Sequence, residues 1–140
     1  MDPVAAEHLA EQLITQRALI CTQVTNRLLL AFPELVQTLR MEAATSVEAR
    51  LSEVAAERMY ELVRAILLFG LPNLAEQELR WAVGVLPRSG VTTEHQAAMI
   101  RWFFEETRRI GLGPAELAIT QELEQYMLDL LTTLTHTPSG

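Results

Sequence analysis

Three histidines, one cysteine, four serines and two adjacent carboxylate and arginine pairs are the residues of this chain that could do chemistry. A nucleophilic triad needs a Ser or Cys beside a base that a third group orients. Ser46 and Ser52 fall at a predicted helix start, Ser89 in a turn and Ser139 in the tail, and none sits in a Gly-rich elbow. Helix initiation and turn chemistry account for Ser46 and Ser89. A metal site needs three or more convergent ligands. His8 with Glu11, and Glu94 with His95, supply two each, and His136 stands alone near the C-terminal end. His8 is expected on the solvated side of the first helix, and His95, at the third position of its helix, in a local packing or hydrogen-bonding role. Glu105–Glu106 cannot form an acid–base dyad by adjacency, because consecutive helical side chains diverge by about 100°. Glu105 is instead expected to pair with Arg108 or Arg109 at i,i+3 or i,i+4 on a solvated face. No catalytic, metal or cofactor site follows from these residues, and the sequence reads as non-enzymatic.

The elements that would carry them are helical. The chain has 140 residues, enough for a single domain over 1–140 with a core of its own. Its apolar fraction of 49% argues against disorder. Cys21 has no partner for an intramolecular disulfide, so a reducing cytoplasm is the expected compartment. The apolar runs 28–32 and 65–71 are too short to span a membrane. All eleven cations are arginine; without lysine, Schiff-base chemistry and a P-loop are excluded. A net charge of −7 disfavours binding to nucleic acid or anionic membranes.

Pro33, Gly70–Pro72, Pro87–Gly90, Gly111–Pro114 and Pro138–Gly140 punctuate the chain. Asp2-Pro3 predicts an N-cap and first turn for a helix to about Arg17, followed by a second block, LICTQVTNRLLLAF. Pro33 forces a boundary before FPELVQTLR. Thr45 with Glu48 has the capping-box spacing and opens a helix over roughly 46–69. Its stripe is Leu51, Ala55, Met59, Leu62, Ile66 and Phe69, with Gly70 as terminator. LAEQELRWAVGVL then turns Leu74, Leu79, Ala82, Val83 and Leu86 inward. Thr93 with Gln96 marks the next start, Gly111 its end, and Gly113-Pro114 the start of a last helix. That helix carries Ile119, Leu123, Tyr126, Met127, Leu130, Leu131 and Leu134 as a stripe. No stretch alternates with period two, so the class is all-α.

The order of these blocks is similar to the globin-like superfamily. AFPEL resembles the second-to-third helix corner of bacterial globins, and GVTTEHQAAMIRWFFEE the start of their penultimate helix. The resemblance implies six to eight helices with a long antiparallel C-terminal hairpin. Globins hold haem through a histidine on the helix before that turn, where this chain offers Val85 and Leu86. Cys21 and Tyr60 are other axial-ligand types, but Cys21 falls where a globin presents no ligand. The resemblance therefore points to haem-free relatives. One group is bacterial sensor domains, usually dimeric, some of which take up a lipophile. The other is phycobilisome subunits, which tether pigment through cysteine; the helix 46–69 has none, leaving a pigment-free scaffold as the alternative.

If the globin pocket persists, its walls are Leu35, Leu39, Met59, Leu62, Val63, Ile66, Leu79, Val83, Leu86, Ile100 and Phe103. They suit a small apolar guest or a collapsed core equally. Arg58 and Arg64 either meet a carboxylate at its mouth or lie on the surface. Trp102-Phe103-Phe104 spans about 200° of helix circumference, wider than an ordinary apolar stripe. One of the three must face a second layer or another chain. Leu128, Leu130, Leu131 and Leu134 give the last helix the same surplus. The favoured expectation is a homodimer through the last two helices, at Trp102, Phe104, Leu128 and Leu131.

Overall fold

Without Gly or Pro between Val4 and Phe32, nothing in the first thirty residues interrupts a helix. In the computed structural model, which describes residues 2–34 and 56–136, that stretch is one helix, α1 (Pro3–Ala31). The two helices expected there are one rod of about 43 Å. Asp2 accepts a hydrogen bond from the Val4 N–H at 3.0 Å, with Pro3 in the first turn. The helix stops at Phe32, as Pro33 requires. The expected start at Thr45, and Leu51 and Ala55 of the next stripe, lie outside the described residues.

Four further helices follow among the described residues: α2 (Glu57–Phe69), α3 (Asn73–Val85), α4 (Thr93–Arg108) and α5 (Pro114–His136). A short 3₁₀ turn, Leu86–Ser89, separates α3 from α4. The all-α class is correct for these residues, which contain no strand. Gly70 ends α2 at φ +63°, its N–H donating to the Ile66 carbonyl at 2.8 Å. Gly111 sits at φ +87° between α4 and α5. Both positions take a left-handed backbone that a side chain would strain. No described helix is long and apolar enough to cross a membrane.

α1 packs against α2, α4 and α5; α4 packs on α5, α5 on α3, and α2 on α3. This places α4 between α1 and α5, so two sides of α4 are covered. Phe103 and Phe104 are both buried, in edge-to-face contact at 5.5 Å between ring centres. Trp102 is half-buried at the end of α1, 5.9 Å from the Phe32 ring. The surplus apolar arc of α4 thus meets a second layer supplied by the same chain. One residue of the α2 stripe departs from expectation: Phe69, at the exposed last position of the helix, faces solvent.

Phe104→Ala is expected to cost about 3–5 kcal/mol of folding stability in denaturant titrations. A solvent-facing side chain truncated in the same way would change stability by less than about 0.5 kcal/mol.

Candidate functional site

The polar side chains that reach the interior sit where helices meet. At the entrance to α4, Thr92 is the N-cap, one residue before the expected Thr93. The His95 N–H donates to Thr92 Oγ1 at 3.3 Å, and the Thr92 N–H donates to His95 Nδ1 at 3.0 Å. A histidine thus fills the place of Glu or Gln in a capping box. With Nδ1 accepting, Nε2 carries the ring proton and donates it to Glu34 Oε1 at 3.0 Å. Phe32 packs edge-on against the same imidazole at 4.5 Å. The Glu34 carboxyl is held below its usual range, first by its own backbone N–H and then by His95. Gln96, expected to cap, instead donates to the Ala82 carbonyl at 3.4 Å from a buried position.

Along the α1–α4 seam, Arg27 reaches Glu105 at 2.8 Å and Glu106 at 3.2 Å, with its guanidinium 4.9 Å above the Trp102 ring. Glu106, only 6% exposed, also receives Arg109 at 3.1 Å. Arg108 crosses to Glu124 of α5 at 2.7 Å. The expected Glu105 pairing within α4 is therefore replaced by pairing between helices, and Glu106 rather than Glu105 makes the i,i+3 bond. Both carboxylates are paired with arginine.

His8 donates from Nδ1 to Glu116 Oε1. Its ring is more than half exposed, as expected, but it is tied to α5 rather than free in solvent. Glu116 is the third residue of α5, and the Gly113 N–H also reaches its carboxyl. A Cβ at Gly113 would lie 2.8 Å from Glu116 Oε2, so a side chain there would require the carboxylate to shift. The His8 hydrogen bond foremost, then the Glu116 and Gly113 N–H groups, hold its carboxyl below the usual range. Sequence spacing carried this signal: Gly-Pro-x-Glu places an acid at the third helical position.

Cys21 is buried on α1, and burial above all, with the Glu57 carboxylate, pushes its thiol up to about 12. It stays a protonated apolar filler. Among the described residues no group of three His, Cys, Asp or Glu could hold a metal ion. His136 lies in the last turn of α5, with its side chain outside the described residues, as is the Ser89 side chain.

Of the expected pocket walls, Met59, Val63, Ile66, Leu79, Ile100 and Phe103 lie buried in one core cluster. Leu62 and Val83 are half-buried against it, and Leu86 is half-buried in the 3₁₀ turn. Leu35 and Leu39 lie outside the described residues. Leu62 also lines an open groove of about 550 Å³ rimmed by Arg17, Glu57 and Glu78. Arg58 pairs with Glu78 and lies 4.4 Å over the Trp81 ring, and Arg64 is half-buried. Of the expected dimer residues, Phe104 (1% exposed) and Leu131 (4%) face inward. Trp102 and Leu128 are half-buried against the core. The exposed large apolar side chains lie elsewhere, among them Phe69, Leu71, Trp81 and Val85 around α3. Sequence patterning missed these because it scores the inward stripe.

No family model, curated protein or solved structure matches this chain. The functional reading therefore rests on the residues themselves.

Arg27→Met keeps the side-chain stem and removes the cation, leaving Glu106 with Arg109 alone. It is expected to cost about 2–3 kcal/mol in urea titrations, whereas Glu105→Gln, at the exposed end of the pair, should cost less than about 1 kcal/mol. Glu116 has a lowered pKa in the folded chain, so its contribution is complete above the unfolded value of about 4.3 and disappears as pH falls through the folded value. Wild-type stability should thus drop between pH 5 and pH 3 (about two units across that carboxylate range), and Glu116→Gln should flatten part of the drop.

Proposed function

We propose that this chain is a non-enzymatic, haem-free domain of globin-like helix order that serves as a protein-interaction module, in the manner of a sensor domain. The observation that carries the reading is the division of labour between its side chains. Titratable groups at the helix junctions are occupied in holding helices: His95 in a cap, His8 on Glu116, Arg27 across Glu105 and Glu106, Arg108 on Glu124. Large apolar side chains, in contrast, stand exposed on α1 (Val4, Ile14, Leu19, Leu30), at the end of α2 (Leu68, Phe69) and on α3 (Trp81, Val85), where a partner can reach them.

The helix pairings support the globin-like part of the reading. A last pair of helices packs together across a short connection, and the first helix lies against both. The segment before the 3₁₀ turn ends in Val85 and Leu86, neither able to ligate iron. Close packing of Met59, Val63, Ile66, Leu79, Ile100 and Phe103 favours an interaction role over uptake of an apolar guest.

Absorbance spectroscopy of the purified chain, before and after addition of one equivalent of haemin, tests this directly. The expected result is a colourless protein with no stoichiometric Soret band. A sharp Soret band from an axially ligated haem, or a red band from a linear tetrapyrrole, would overturn the reading.

A further inference from the structure

In the common capping box the third helical residue is Glu or Gln, whose oxygen accepts the N-cap N–H at any pH near neutral. At the start of α4 that acceptor is instead an imidazole nitrogen, His95 Nδ1, 3.0 Å from the Thr92 nitrogen. Nδ1 can accept only while the ring is neutral, and an ordinary imidazole leaves that state at about pH 6.5. The His95 side chain is 5% exposed, and its Nε2 donates to Glu34 Oε1 at 3.0 Å. A proton arriving at Nδ1 therefore has opposite effects on the two bonds. It sets two donors, Nδ1–H and the Thr92 N–H, against each other, and it turns the Glu34 contact into an ion pair. Among the described residues Glu34 is the one charged group paired with the ring. α1 presents Phe32 to it, with Arg27 committed to Trp102, Glu105 and Glu106 further along α4. From α5, Glu124 meets Arg108 at the far end of α4, and Glu122 and Asp129 are exposed. Arg88 of the preceding turn and Glu94 next to His95 are exposed as well, and α3 offers the Ala82 carbonyl to the neighbouring Gln96.

We propose that His95 is a proton-sensitive latch on the first turn of α4: neutral, it holds the Thr92 N–H in the cap; protonated, it stays on Glu34 and lets Thr92 go. The direction follows from which form can take the proton. In the capped form the Nδ1 lone pair is engaged, so capping is complete above the imidazole range and is lost as pH falls through it. The other half of the box, from the His95 N–H to Thr92 Oγ1, does not titrate and keeps the helix beyond its first turn. Thr92 follows directly on the 3₁₀ turn Leu86–Ser89 and Gly90, so release frees the connection from α3 to α4. The corner after α1 meanwhile keeps its hold on the ring through Glu34. Carboxylates such as Glu116 titrate below this window, at about pH 4 or lower. Nothing in the latch requires a partner, so it stands or falls apart from the interaction-module reading.

Heteronuclear NMR of the isotope-labelled full chain between about pH 7.5 and pH 5.5, either side of the ordinary imidazole pKa, tests the latch. At the upper end the His95 ring should carry its proton on Nε2 alone, with the Thr92 amide protected from exchange. At the lower end Thr92 protection should fall at least about fivefold, since an opening that alone admits a proton gains up to about tenfold per pH unit. Amides of α5 from Leu123 to Leu131 should stay protected throughout. His95→Gln supplies an acceptor that does not titrate, and should hold Thr92 protection constant to within about twofold. A proton on Nδ1 at the upper end, wild-type Thr92 protection that does not change, or a loss that α5 shares overturns the proposal. So does a loss that persists in folded His95→Gln; if that variant does not fold, the wild-type readings decide alone.

Discussion

The structure depends on α4 lying between α1 and α5. Three consecutive aromatic residues cannot all be buried by a helix with one covered side, since they sweep more than half its circumference. Here Phe103 and Phe104 have core on both sides, and the end of α1 brings Phe32 and Arg27 onto Trp102. Burial of two phenylalanines is among the larger favourable terms available to a chain of this size. Phe104 and Leu131 are thereby used within the fold, whereas Trp102 and Leu128 keep part of their surface exposed.

That arrangement governs the polar groups too. An α1–α4 contact close enough to cover Trp102 brings Arg27 within reach of Glu105 and Glu106 and permits Glu106 to be buried with its charge paired. Buried pairs of this kind contribute little net stability but penalise any packing that separates them. They fix the seam between two helices whose apolar surfaces alone would tolerate sliding. His95 does comparable work at the other end of α4, joining its first turn to the corner after α1 through Glu34. Side-chain types common in active sites are here positioning devices for helices.

Local chemistry was legible in the sequence. Asp2-Pro3, the stop before Pro33, Gly70, Gly111 and Gly113-Pro114 each act through one or two residues, and each lies where its backbone preference requires. The cap of α4 was misplaced by one position because histidine is an unusual third member of a capping box, and Thr93–Gln96 had the commoner spacing. α1 was divided near Arg17, although no residue in it breaks a helix. What the sequence withheld was tertiary: Arg27 gave no sign of reaching residues 78 and 79 positions away. The apolar excess of α4 likewise has the same periodicity whether its second face meets α1 or another molecule.

Amide hydrogen exchange on the native chain at low and high protein concentration tests the central claim most directly, because it reads the cover on each helix separately. The account predicts slow exchange in α4 and in the α1 segment from Ile20 to Leu28 at both concentrations. Rapid exchange in α4 at low concentration, slowing as α4 and α5 become protected together at high concentration, would contradict it.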